Sequence, residues 1–147
     1  MAQTYDEAVQ ELSAFMRTAW QNAGGAPTQL TYEDSDFTPP TAGTAASRTW
    51  ARLVIKHFGG TRSLGSGASV VHRRYGLLTL QIFTAIGSDA PGAVGARQIA
   101  GPITTALENA AAVNNIWFRN ISMREIGVDG VWYQVHVQTE FVFDRTA

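Results

Sequence analysis

From Thr4 onward the apolar residues Ala8, Leu12, Phe15, Met16 and Ala19 recur at helical spacing, which predicts a first helix. Thr4 and Glu7 are placed as a capping box, Asp6 and Glu7 lie at the positive end, and Gly24-Gly25 supplies a stop. Residues 26–47 hold three of the five prolines among many Thr, Ala and Gly, so only 29–33 reads as a short strand and the rest as extended loop. In 49–58 the alternation changes to a period of two, with Ala51, Leu53 and Ile55 on one face and Arg52, Val54 and Lys56 on the other. That is a half-buried strand with Arg52 and Lys56 looking outward. Residues 59–69, GGTRSLGSGAS, have four glycines and no periodicity, too long and loose for a tight turn, and read as a long, mobile, glycine-rich β-hairpin arm.

A long strand is predicted over 70–86, with Leu78, Leu80 and Ile82 on one face and Thr79 and Gln81 on the other. Ser88-Asp89-Ala90-Pro91 then signals a second helix striped by Ile99, Ile103 and Leu107, with Ala106 and Ala110. Pro102 within that stripe removes a hydrogen bond and predicts a kink or a break into two helices. The last pair, 116–126 and 131–143, is joined by Val128-Asp129-Gly130, and Asp-Gly between apolar runs is a strong hairpin signal. Its second strand sets Tyr133, Val135, Val137, Phe141 and Phe143 against Gln134, His136, Gln138 and Glu140, which fixes the register. The predicted order is α-(β)-β-β-α-β-β. It describes an α+β fold over 1–147, a single domain whose antiparallel or mixed sheet carries two main helices on one face. Arg52, Lys56, Gln81, Gln134 and Gln138 then share a broad face that no helix is left to cover.

Composition narrows the chemistry. The chain has 147 residues, 45% hydrophobic and 16% charged, enough for one sizeable core. It has no cysteine, which removes disulfides, thiolate metal sites and cysteine nucleophiles and is consistent with an intracellular origin. The formal net charge of -1 supplies no bulk basic field for nucleic acid, so any DNA contact has to be local. The N-terminal stretch lacks a basic start and apolar run, which argues against a signal peptide, and no segment reaches the roughly 18 consecutive apolar residues of a membrane span.

No catalytic constellation emerges. His57, His72 and His136 lack metal-ligand spacing with one another or with a carboxylate, and strand-face histidines account for them more simply. Ser63, Ser66 and Ser69 lie in the arm without a nucleophile elbow, and Gly65-Ser66-Gly67 lacks the Gly-Lys-Ser/Thr ending of a phosphate loop. Glu33, Asp34 and Asp36 lack calcium-loop spacing and read as a solvated loop. No cofactor or metal is expected. Arg62, Arg73 and Arg74 carry more information, because they cluster on the arm and on the strand leaving it, where several copies in a ring would multiply their charge. A solvated basic edge explains them equally well. Trp20 fits the core, whereas Trp132 falls on the polar face of its strand as a lid or an oligomer anchor.

Several segments carry a family resemblance. They are Phe37-Thr38-Pro39-Pro40, then Trp50-Ala51-Arg52-Leu53, the glycine-rich arm, and Arg73-Arg74-Tyr75-Gly76-Leu77-Leu78 running into Gln81-Ile82-Phe83. Asp129-Gly130-Val131-Trp132-Tyr133-Gln134-Val135 and a closing strand with Phe141 complete the set. In this order they resemble the tail terminator (tail completion) proteins of long-tailed phages, including the lambda-type terminator, over essentially the whole chain. The resemblance implies a non-enzymatic structural protein of the virion tail, assembled in the host cytoplasm as a hexameric ring on the head-proximal end of the tail tube. Such a ring stops tube polymerisation, offers a surface to the head connector, and lets DNA pass through its lumen without sequence-specific binding. Arg62, Arg73, Arg74 and Trp132 are the candidates for intersubunit or lumen contacts. Another head-tail connector or stopper would share this architecture. From a different class, a small α+β ligand-binding domain or enzyme would place a pocket near His136 and Tyr133.

Overall fold

A computed structural model describes residues 4–25, 29–33, 35–39, 49–64, 70–87, 90–110, 113 and 115–146. Helix α1 spans Tyr5–Asn22 and buries Ala8, Leu12, Met16, Ala19 and Trp20. Thr4 caps it: its side-chain oxygen accepts from the Glu7 backbone N–H at 3.1 Å, satisfying one of the donors a helix start leaves open. Trp20 is fully buried, as expected of a core residue.

Strand β1, Leu30–Tyr32, pairs in parallel with β2, Thr49–Leu64. β3, Val71–Ala85, follows β2 antiparallel, and helix α2 runs over Gly92–Asn109. β4, Ile116–Asp129, and β5, Trp132–Thr146, close the chain as a hairpin. The five strands form one mixed sheet in the order β1-β2-β3-β5-β4. The fold is thus α+β, with both helices packed on the sheet.

One apolar core joins the helices to a single face of that sheet. Ala51 and Leu53 of β2, Leu78, Leu80 and Ile82 of β3, and Val135, Val137, Phe141 and Phe143 of β5 meet Leu12, Met16 and Trp20 of α1 and Ala96, Ala100, Ile103 and Leu107 of α2. These strand residues are the apolar sets that the period of two assigns to one side. Small residues let α2 approach closely: Ala96 and Ala100 are fully buried.

Three features differ from the expectations drawn from sequence. Within the expected glycine-rich hairpin arm, Gly59 to Leu64 are regular strand without visible alternation: they continue β2 and pair with Tyr75 to Val71 across register shifts at His57/Gly59 and Arg62/Leu64. Each shift absorbs one residue as a bulge, which hides the alternation from a pattern search. Residues 65–69, the remainder of the expected arm, lie outside the described residues, as do Ser88 and Asp89. Pro102 does not divide α2, which runs unbroken through it; Pro102 itself is exposed, so the freed carbonyl one turn earlier can turn to water. The turn between β4 and β5 is shorter than expected, Gly130-Val131, with Asp129 opposite Trp132. Gly130 has φ +63° while Val131 avoids positive φ, the pattern of a II′ hairpin turn.

Gly76 marks the tightest approach in the sheet. A Cβ there would lie 2.0 Å from Phe141 Cζ and 2.6 Å from the Lys56 carbonyl oxygen, the second of which is backbone and has no freedom to retreat. Gly76→Ala is therefore expected to destabilise the fold by about 1–3 kcal/mol through overpacking. Urea unfolding of the two proteins measures the difference; an unchanged midpoint would show that Phe141 and the β2 backbone move aside.

Candidate interaction surface

The register that sends apolar residues to the helices sends a second set to the opposite face. Across β2, β3, β5 and β4 this face carries the rows Arg52–Gln81–His136–Arg124, Val54–Thr79–Gln138–Ser122 and Lys56–Leu77–Glu140–Arg119. Trp50, Phe83 and Val142 are buried on the same side yet stand apart from the helix-facing core. The four long strands have 14–16 residues, about 50 Å each at the usual rise. The open face is therefore both wide and long.

At one end of it the aromatics form a cluster. Trp50 stacks on Phe83 with ring centroids 4.0 Å apart and an interplanar angle of 8°, Phe37 covers Trp50 at 5.1 Å, and Trp132 meets Trp50 edge-on at 6.0 Å. Arg52 lies over the Trp50 ring at 5.6 Å. Trp132 remains half-buried, so the cluster presents an aromatic edge to solvent.

Towards the other end the face is ionic. Arg73 makes a two-pronged contact with Asp144 across the β3–β5 pair, Nε to Oδ1 at 2.8 Å and Nη2 to Oδ2 at 3.0 Å. Lys56 meets Glu33 at 2.7 Å, and Glu140 accepts from Arg119 at 3.5 Å and from the Asn120 amide. His136 exchanges a 2.7 Å hydrogen bond with Gln134. Burial, and then the Arg124 charge, lowers the pKa of its imidazole. On the helix side, Arg97 of α2 donates to Glu125 of β4 at 2.6 Å, and the Tyr133 hydroxyl donates to the same oxygen at 3.0 Å. These hydrogen bonds hold the Glu125 carboxyl below its usual range.

The four residues singled out from the sequence are separated by the fold. Arg73 and Trp132 both project to the open face, at opposite ends. Arg74 projects to the helix side, where its guanidinium lies 4.2 Å over the Tyr5 ring. Successive residues of a strand point to opposite faces, so Arg73 and Arg74 do not form one cluster. The Arg62 backbone pairs opposite His72, and its side chain lies outside the described residues.

His57 is the residue that sequence reasoning placed least well. It continues the phase of Ala51, Leu53 and Ile55 and so enters the helix side, with Tyr5 at 4.5 Å, Phe141 at 5.6 Å and Phe143 at 6.0 Å. Both ring nitrogens are buried and lack a hydrogen-bond partner among the described residues. Desolvation pushes its pKa below the ordinary 6.5, the Arg74 charge pushes it further, and Asp6 opposes them more weakly. The same-face spacing from Leu53 and Ile55 was the available signal. Tyr133 and His136, proposed to share a pocket, lie on opposite faces of β5.

Two clefts lined by described residues lie beside the helices. The larger, about 230 Å³, sits where the end of α1 approaches the start of α2 and is lined by Gln29, Thr49 and Gln98 with small and apolar residues, none of them ionisable. Among the described residues no three His, Asp or Glu gather as metal ligands, and no helix is long and apolar enough to cross a membrane.

The architecture so defined is an α+β domain with helical cover on one face of a long sheet. No family model matches the chain, and no curated protein matches it. Among solved structures 26 chains match. One is similar over 89% of this chain and 94% of its own, with a TM-score of 0.53 at 14% identity, a likeness that shows the fold alone.

The lowered pKa values of His57 and His136 make stability depend on pH. Each imidazole binds its proton less readily folded than unfolded, so its contribution is complete above the ordinary 6.5 and is lost as pH falls through that value to the folded pKa. Thermal unfolding is expected to show a lower Tm at pH 5.5 than at pH 7.5, and His57→Gln is expected to flatten that profile. An identical slope in the variant would place the pH dependence elsewhere.

Proposed function

We propose that this chain is the ring subunit of a phage tail terminator, the structural protein that caps the head-proximal end of a finished tail tube. The observation that carries the reading is the open sheet face, about 50 Å long, polar and charged along most of its length, with an aromatic cluster at one end. A surface of that extent suits contact with other proteins better than capture of a small molecule, which calls for a concave site with converging polar groups.

The segments that carry the family resemblance support it by where they fall. Trp50-Ala51-Arg52-Leu53 is the stretch of β2 whose last three residues pair with β1 and which supplies both the aromatic cluster and the core. Arg73 to Leu78 includes the Gly76 contact and the Asp144 ion pair. Asp129 to Val135 forms the tight turn that presents Trp132. In this reading the protein performs no catalysis and needs no cofactor. Closed head-to-tail contacts make a ring, one ring face matches the last tube ring, and the other fails to template a further tube subunit. The opposite face meets the head connector, and DNA crosses the lumen. Arg73 and Trp132 stay candidates for tube or lumen contacts of the open face in this scheme, while Arg74 lies over Tyr5 of α1.

A hexamer would have a mass of about 95 kDa, given a 15.9 kDa chain and closed symmetry. Light scattering across a concentration series, with negative-stain images, is expected to find that species with a central hole and to find it bound at one end of purified tail tubes. Binding to the head-side connector but never to tubes would move the assignment to a stopper. A monomer at every concentration, also with tubes present, would end the ring reading.

A further inference from the structure

The two outer edges of the sheet are built to meet each other. β4 is the last strand on one side, and beyond the turn in which Val113 bridges Ile116 nothing among the described residues pairs with its outer edge. On the other side β1 pairs with β2 only at Ala51 to Leu53, so from Val54 onward the outer edge of β2 has no strand partner among the described residues. Unpaired edges of this kind are templates for another chain.

Large exposed apolar side chains mark both edges at one level. Phe58, at the first bulge of β2, is 59% exposed, and Trp117 of β4 is 40% exposed. Trp117 stands opposite Val142, Val142 opposite Tyr75, and Tyr75 opposite Gly59, the neighbour of Phe58. The two aromatics therefore lie at the same height on opposite edges of one sheet. Two residues further along β4, Arg119 is at the level of Lys56, and Lys56 holds Glu33 at that outer edge. Arg119 itself leans inward, to Glu140 and over the Tyr75 ring at 5.1 Å, so the two edges carry ion pairs at one level, Lys56–Glu33 on one and Arg119–Glu140 on the other.

Strand direction agrees. β2 runs opposite to β3, β3 opposite to β5, and β5 opposite to β4, so β4 runs opposite to β2. A rotation about an axis along the strands keeps every direction unchanged. A neighbour so related sets its β2 antiparallel beside β4, continuing the alternation of the sheet. The bulges after Arg119 and Glu125 confine regular pairing to the stretch near Trp117 and keep the remainder of β4 from serving as a general template.

We infer that copies of this chain join head to tail through the Trp117 edge of β4 and the Phe58 edge of β2, with Trp117 packing on Phe58 of a second copy and the Arg119–Glu140 pair coming level with the Lys56–Glu33 pair of that copy. This inference rests on the ring reading and names its contact. The contact is heterologous, so it propagates until rotation closes it, which a two-fold pairing of like edges cannot do.

The test uses the full chain, whose lack of cysteine makes engineered thiols unambiguous. Phe58→Lys and Trp117→Lys are each expected to weaken self-association about tenfold or more by light scattering, with circular dichroism unchanged. Phe58→Cys combined with Trp117→Cys is expected to give an oxidation-dependent ladder of linked copies, and neither single cysteine variant is expected to link. A ring that both lysine variants leave intact overturns the contact and leaves the ring reading standing. Self-linking of the single Trp117→Cys chain overturns the head-to-tail arrangement. Absence of any oligomer in the unmodified protein overturns contact and ring together.

Discussion

Both helices press on the same face of the sheet, and the period of two in a strand does not allow a residue to choose that face independently of its neighbours. Once Leu53, Leu80 and Val137 are committed to the core, Arg52, Gln81 and His136 are committed to the other side. The open face is the obligatory complement of the core. A one-residue slip of β5 would bury Gln134, His136 and Gln138 beneath α2 without partners, a penalty far larger than the net worth of the hydrogen bonds involved.

That constraint also explains how the open face is held in order with no covering layer among the described residues. Its buried aromatics, Trp50 and Phe83, shield each other by stacking, and its charges are largely neutralised in place by Glu33, Glu140 and Asp144. Exposed ion pairs of this kind add little to stability. They instead fix side chains across neighbouring segments, Lys56 to Glu33, Arg73 to Asp144 and Arg119 to Glu140. On the helix side Arg97 and Tyr133 converge on Glu125, tying α2 to the edge strand.

The bulges are where regularity gives way to shape. At the first bulge of β4 the buried Thr139 hydroxyl of β5 donates to the Arg119 carbonyl at 3.1 Å, satisfying backbone next to the irregular step, and Asn120 takes φ +54° there. Such steps twist the strand and limit how far an edge can pair. They allow the same sheet to have long strands and still expose only short, chosen stretches of open edge.

The sequence by itself determined the period of each segment, and with it α1 and its Thr4 cap, the phase of β3 and β5, the turn at Gly130, and the existence of an uncovered polar face. These follow from interactions among residues close in the chain and from the mean burial each side chain prefers. It did not reveal that 59–64 are paired strand, because bulges break the alternation, nor that α2 continues through Pro102, because cover by the sheet outweighs one lost hydrogen bond. Alternation already sets Arg73 and Arg74 on opposite faces, but only the neighbours across the sheet decide that one meets Asp144 and the other Tyr5. The placement of His57 among Tyr5, Phe141 and Phe143, and of Phe58 and Trp117 level on opposite edges, depends on strand order and register. Those are contacts between residues distant in sequence, and local pattern carries no information about them.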